Sequence, residues 1–120
     1  MNKAILNINN KKLEVELAKN FLEISYGLMN RDFLEKDSGM LFIFPIPMQL
    51  HFWGKNTKIP LDLAFLDKDL SICELYAINP LDETVILSLS KTLMYALEVN
   101  FGWFKTNEIQ VGDKVKIINS

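Results

Sequence analysis

Six polar or aromatic side chains in this sequence have the chemistry to hold a ligand, and four of them fall between residues 53 and 57. Trp53 precedes Lys55, Asn56 and Thr57 in the stretch "HFWGKNTKIPLDLAF". An indole ring can stack on a sugar or a cation, while ammonium, amide and hydroxyl groups suit a carboxylate, a phosphate or a sugar hydroxyl. Asn and Thr also close turns on themselves, so a simple turn explains these residues equally well.

Asp62 and Arg31 are the other two candidate site residues. Asp62 opens an apolar strand, where an unpaired buried carboxylate would be very costly, so it needs backbone donors or a cation. A structural clamp for the turn at residues 55–57 is one interpretation, and a functional carboxylate is the other. Arg31 can bind an anion through its planar guanidinium, although an ion pair with Asp32, Glu35 or Asp62 would explain it as well.

Familiar catalytic and metal-binding sets are absent from the sequence. His51 is the one histidine, so no histidine pair can bind a metal, and Cys73 alone excludes an intramolecular disulfide and a thiolate zinc site. No glycine-rich phosphate loop or nucleophile elbow is present. We therefore expect no bound metal and no cofactor.

Length and composition predict one globular domain spanning residues 1–120. Hydrophobic residues make up 49% and charged residues 23%, which suffices for a core. A net charge of −2 gives no basic surplus for binding phosphate backbones, so we expect no nucleic-acid partner. We expect no membrane span and no signal peptide, and hence a cytoplasmic monomer or weak dimer; an extracytoplasmic location would apply if the chain is a trimmed precursor.

Short apolar segments with a period of two predict the elements that position these residues. Asn20 and Glu23 form a capping pair that predicts a short helix with Phe21, Ile24 and Leu28 on one face, and "GWFKTNEI" suggests one more helical turn. Strands are predicted at "KLEVELA", "GMLFIFP", "MQLHFW", "LDLAFLD", "SICELYAI", "VILSLS", "LMYALEV" and "KVKII". We therefore expect a mainly β (α+β) fold, barrel-like or sandwich-like, with six or more short strands and one or two short helices.

The order of "GLMNR", "GMLFIF", "FWGKNTKIPLDLAF", "YALEV" and "VGDKV" resembles the bacterial and archaeal family called domain of unknown function 192. The resemblance runs from about Val15 to Ile117 and implies a small β-rich domain without an established reaction, so it brings no catalytic residues. The family usually has a methionine where this chain has Gly54, and loss of that side chain would open a groove beside Trp53 or relax the turn. The recurring polar positions of the family correspond to Arg31, Lys55, Asn56, Thr57, Asp62, Glu98 and Asp113.

Three hypotheses for the function follow from these residues. The first is a non-catalytic binding domain for a small polar, saccharide-like or peptide ligand, which would contact Trp53 and residues 55–57 with Arg31 and Asp62 behind them. The second is an acid–base enzyme of the hydrolase or isomerase type, with Asp62 as base and Lys55 or Arg31 stabilising negative charge. The third is a structural module that docks a protein partner through an edge strand or an aromatic patch.

Overall fold

The structure, a computed structural model, describes residues 1–119, which contain nine strands and two short helices. The mainly β fold predicted from the sequence is confirmed. The helices are α1 (Phe21–Tyr26) and α2 (Trp103–Thr106). The strands are β1 (Lys3–Ile8), β2 (Lys11–Ala18), β3 (Ser38–Met48), β4 (His51–Phe52), β5 (Leu61–Asp67), β6 (Ile72–Ile78), β7 (Ile86–Leu87), β8 (Leu93–Asn100) and β9 (Lys116–Asn119).

Seven strands form one sheet in the order β6-β5-β8-β3-β2-β1-β9, and β4 pairs with β7 in a separate ribbon. Neighbouring strands are antiparallel except β2 and β3, which are parallel and are connected through α1. The two ends of the sheet meet at a bridge between Ser71 and Lys114, where the amide of Val115 also donates to the carbonyl of Leu70 at 2.9 Å. This contact closes the sheet into the expected barrel-like shape.

The sheet has an apolar cluster on each face. Leu41, Ala64 and Leu97 lie in adjacent strands and belong to the cluster that the closed sheet surrounds. On the opposite face, Leu63 and Phe65 belong to a second cluster, which residues such as Leu28, Leu50 and Ile59 cover. The sequence-based prediction that β5 is a central strand, apolar on both faces, is confirmed because successive side chains point to opposite faces.

Helix α1 begins with the capping pair that the sequence predicted. The side chain of Asn20 accepts from the amide of Glu23 at 2.8 Å, and the carboxylate of Glu23 accepts in return from the amide of Asn20 at 3.4 Å. The expected apolar face is only partly formed, because α1 ends at Gly27 and Leu28 is buried beyond it. Phe21, at the first helical position, is 81% exposed.

Strand β3 extends well beyond its partner β2. The β2–β3 pairing stops at Ala18 opposite Phe42, whereas β3 runs on to Met48 through Pro45 and Pro47. The chain leaves the sheet at Ala18 and turns into α1, so that one edge of the far half of β3 is unpaired within residues 1–119. This departure leaves a concave space between α1 and β3.

Neither helix of the described chain has the length or the apolar character needed to cross a membrane.

Candidate functional site

The space between α1 and the far half of β3 is a groove with a volume of about 950 Å³. Its third side is the segment from Met48 to Thr57, which carries β4. Most of the lining is apolar, and the aromatic members are Phe21, Tyr26, Phe42, Phe44, Phe52 and Trp53. Three of these rings are in contact: the centroid of Phe52 lies 4.9 Å from Phe42 and 6.4 Å from Phe44. Edge-on packing of this kind fixes the shape of the wall.

Four of the six residues selected from the sequence line this groove, namely Trp53, Lys55, Asn56 and Thr57. The ammonium of Lys55 lies over the indole of Trp53, 5.2 Å from the ring centroid. Asn56 adopts a left-handed backbone conformation with φ of 56°, and the hydroxyl of Thr57 donates to the carbonyl of Lys55 at 3.2 Å. The segment is therefore both a closed turn and part of the groove wall.

Asp62 does not line the groove, and the interpretation of it as a clamp for residues 55–57 is wrong. Its carboxylate accepts from the backbone amides of Gly102, at 3.0 Å, and Phe104, at 3.1 Å. Asp62 thereby holds the first turn of α2 against β5, on the sheet face opposite Leu63 and Phe65. This arrangement provides the backbone donors that a buried carboxylate requires.

Arg31 also lies outside the groove lining. Its guanidinium forms a two-pronged ion pair with Glu16 on β2, in which the Nη2 to Oε1 distance is 3.0 Å. The sequence suggested Asp32, Glu35 or Asp62 as the partner, and Glu16 was not foreseen. The hydrogen bonds from Arg31 are the main reason that the pKa of Glu16 is lowered. Arg31 thus connects the segment after α1 to the sheet.

Gly54 does not widen the groove, contrary to one expectation from the sequence. A Cβ atom at this position would lie 2.4 Å from the carbonyl oxygen of Asn79 and 3.0 Å from that of Asp82. The amide of Gly54 donates to the same Asp82 carbonyl at 2.7 Å. The space of the missing side chain is therefore filled by the backbone of residues 79–82.

We expect Gly54→Ala to lower the free energy of unfolding by about 1 to 3 kcal/mol, because the added methyl group must displace backbone rather than a flexible side chain. Urea unfolding followed by circular dichroism measures the change. Glu83→Ala, at an exposed position of the facing loop, is the control and should stay within about 0.5 kcal/mol of the wild type. Equal stability of Gly54→Ala and the wild type would mean that the loop at residues 79–82 yields freely.

Glu98 is the groove residue that the sequence-based selection of site residues missed. It lies on β8 between Met40 of β3 and Leu63 of β5, on the face of the second apolar cluster. Only 5% of its surface is exposed, and that remainder faces the groove. No hydrogen-bond donor or cation from residues 1–119 contacts its carboxyl group. One signal in the sequence could have identified it: Glu98 occupies one of the recurring polar positions of the family that the chain resembles.

Burial raises the pKa of Glu98 to about 8. A carboxylate is disfavoured in this setting because the apolar side chains around Glu98 exclude most of the water that would solvate the charge, and no described protein group donates a hydrogen bond in its place. Glu98 is therefore mostly a neutral carboxylic acid at neutral pH. In that form it offers one O–H donor and one carbonyl acceptor to whatever occupies the groove.

The residues of the acid–base hypothesis are not brought together. Asp62 is held by the α2 backbone, Arg31 is paired with Glu16, and Lys55 lies over Trp53. The fold and the site instead define a barrel-like β domain with an aromatic groove and a buried, unpartnered carboxyl group at its floor.

Comparison with known sequences identifies the family. Residues 4–117 match the family DUF192, described as an uncharacterized ACR, and the chain belongs to this family. A UPF0127 protein of Pyrococcus abyssi is 28% identical over 109 residues, which cover 88% of this chain and 86% of that protein. The resemblance inferred from the sequence is confirmed, and the family has no known function.

Two solved structures have the same fold. A Sinorhizobium meliloti protein, described as a candidate transcription regulator, has a TM-score of 0.92 and 31% identity, covering 97% of this chain and 94% of its own. A protein of unknown function from Novosphingobium aromaticivorans has a TM-score of 0.87 and 31% identity, covering 95% of this chain and 84% of its own. Both likenesses extend over almost the whole chain.

Proposed function

We propose that this protein is a non-catalytic binding domain whose groove holds a small molecule with a mainly apolar body. The observation that carries the proposal is the unpartnered carboxyl of Glu98, buried at the floor of a groove that is otherwise apolar. Small-molecule sites typically combine an apolar, concave lining with a few polar groups that orient the ligand. A volume of about 950 Å³ lies at the upper end of their usual range, roughly 300 to 1,000 Å³.

The apolar lining favours an apolar ligand over the saccharide-like one considered from the sequence. A saccharide presents many hydroxyl groups, and a groove walled by Phe42, Phe44 and Phe52 leaves most of them without partners. A compact apolar molecule instead removes both its own surface and the aromatic rings from water. Lys55, Asn56 and Thr57 then supply polar contacts on one side of the groove.

Catalysis and nucleic-acid binding have less support. The structure separates Asp62 from the groove, so the acid–base hypothesis loses its base at this site. The net charge of −2 gives this chain no basic surplus for a phosphate backbone, which disfavours the role in transcription by which the Sinorhizobium meliloti relative is described.

The test is a thermal-shift titration with 4-phenylbutylamine, 4-phenylbutanol, 4-phenylbutanoate and glucose. A ligand that binds only the folded protein raises the melting temperature, and we expect this from at least one phenyl compound but not from glucose. Ser25→Trp places an indole at an exposed position of the groove wall and should abolish the shift. Leu89→Trp adds the same group at an exposed position outside the groove and should preserve it. No shift with any phenyl compound at saturating concentration would refute the proposal.

A further inference from the structure

The carboxyl of Glu98 can select ligands by charge, because the protein leaves its polar atoms without partners. Met40 and Leu63, its neighbours on the two flanking strands, contribute no donor. The titratable side chains that line the groove are Lys19, Tyr26, His51 and Lys55. None of them donates a hydrogen bond to Glu98 within residues 1–119, and Lys19 is exposed to solvent, which screens its charge.

Three kinds of polar group on a ligand would meet this carboxyl differently. An anion would accept a hydrogen bond from the neutral acid below about pH 8, and it would be repelled once Glu98 ionised above that pH. A hydroxyl group would gain one neutral hydrogen bond, which is a modest net contribution. A positively charged nitrogen would gain a charge-assisted hydrogen bond in a site of low dielectric, where attraction between charges is strongest.

The aromatic walls favour a cation as well. Ring faces attract positive charge, and the groove already contains one such contact, in which the ammonium of Lys55 lies 5.2 Å from the centroid of Trp53. Phe42, Phe44 and Phe52 add further rings to the same space. The charge complement to Glu98 itself, once ionised, is therefore an ammonium group on an apolar body, although Lys19 and Lys55 of the lining carry the same sign of charge as this ligand.

Building on the proposed binding role, we infer that the groove selects a ligand that carries an ammonium group on an apolar or aromatic body, with the nitrogen seated against the carboxylate of Glu98. No bond is made or broken in the ligand. Without the ligand, Glu98 keeps its proton at neutral pH. Binding of the ammonium favours the carboxylate, so that close to one proton passes to solvent for each ligand bound.

The experiment compares 4-phenylbutylamine, 4-phenylbutanol and 4-phenylbutanoate, which differ only in their polar end group, by isothermal titration at about pH 6, 7 and 8. We expect the amine to bind at least roughly tenfold tighter than the alcohol at about pH 8, from one charge-assisted contact. Its affinity should rise by up to roughly tenfold between pH 6 and pH 7, because protons compete for Glu98. Titrations in buffers of different ionisation enthalpy count the released proton.

Glu98→Gln is the decisive variant, since it keeps the size of the side chain and removes its charge. It should lose the preference for the amine and the pH dependence, while the affinity for the alcohol changes by less than about threefold. Lys55→Met is the second variant; it removes the positive charge over Trp53, which repels a bound ammonium, and should strengthen the preference for the amine.

Two outcomes would overturn the inference while leaving groove binding intact. One is an alcohol or carboxylate that binds as tightly as the amine at about pH 8, and the other is an amine preference that persists in Glu98→Gln. Failure of all three compounds to bind would instead refute the proposed binding role, and the inference would fail with it.

Discussion

Glu98→Gln should remove a loss of stability that the wild-type protein undergoes as the pH rises from about 5 to about 8. The folded protein has a pKa of about 8 at Glu98, whereas an exposed glutamate has the ordinary value of 4.5. Between these values the folded state keeps a proton that the unfolded state has released. The free energy of unfolding therefore falls with increasing pH, by at most about 1.4 kcal/mol per pH unit and by roughly 5 kcal/mol in total.

The contribution of Glu98 is complete below pH 4.5 and is lost as the pH passes through about 8. Carboxyl groups with a lowered pKa, such as Glu16 and Glu74, act in the opposite direction, but they do so in more acidic solution, below this window. A neutral glutamine cannot lose a proton. Glu98→Gln should accordingly match the wild type near pH 5 and exceed its stability near pH 8.

Urea unfolding at several pH values measures this difference. Glu83→Gln, which removes an exposed carboxylate, controls for the change in net charge and should keep the pH dependence of the wild type. If Glu98→Gln and the wild type lost stability in parallel between pH 5 and pH 8, Glu98 would already be ionised in the folded protein. A hydrogen-bond donor or a cation would then have to contact its carboxylate.

The second large effect is expected at Asp62. Asp62→Ala removes the acceptor for two backbone amides, those of Gly102 and Phe104, and leaves them near the core without a partner. Each unsatisfied buried amide costs about 1 to 3 kcal/mol, so we expect the free energy of unfolding to fall by about 2 to 4 kcal/mol. Denaturant unfolding of the purified variant measures the loss.

Asp62→Asn is the matched control for Asp62→Ala. Asparagine retains an oxygen at the position that accepts both amides and loses only the negative charge, so its cost should be nearer about 1 kcal/mol. Binding of phenyl compounds in the groove should persist in Asp62→Asn, because Asp62 is not part of the lining. An Asp62→Ala protein as stable as the wild type would show that α2 is held by other contacts.

The strands and the first helix could be predicted because their signals are local. Alternation of Leu13, Val15 and Leu17 with glutamates marks β2, and Asn20 with Glu23 marks the start of α1. Strand β1 was missed, although Ala4, Leu6 and Ile8 alternate and are buried, since lysine and asparagine interrupt the apolar pattern. The predicted strands at residues 48–53 and 85–90 proved to be only two residues long, in the β4–β7 ribbon.

The candidate site was only partly predictable. Trp53 and residues 55–57 are adjacent in sequence, so their shared position on the groove could be anticipated. The burial of Glu98 could not be anticipated, because a glutamate in a strand usually marks a solvated face. This one is buried only because segments that are distant in sequence, around Leu28 and Leu50, cover the sheet above it. The partner of Arg31 was missed for a related reason: Glu16 lies on β2, whereas Asp32 and Glu35 are closer in sequence.

Pro45 and Pro47 have a consequence for the behaviour of this protein at high concentration. An uncovered strand edge is a template on which other chains can add strands, and such growth leads to ordered aggregates. Proline has no amide hydrogen, so these two positions in the far half of β3 cannot donate to an incoming strand. Ile46 between them is 61% exposed, but the proline on each side interrupts the ladder of hydrogen bonds that an added strand would form. The opening beside β3 can therefore stay accessible to small molecules without starting fibril growth.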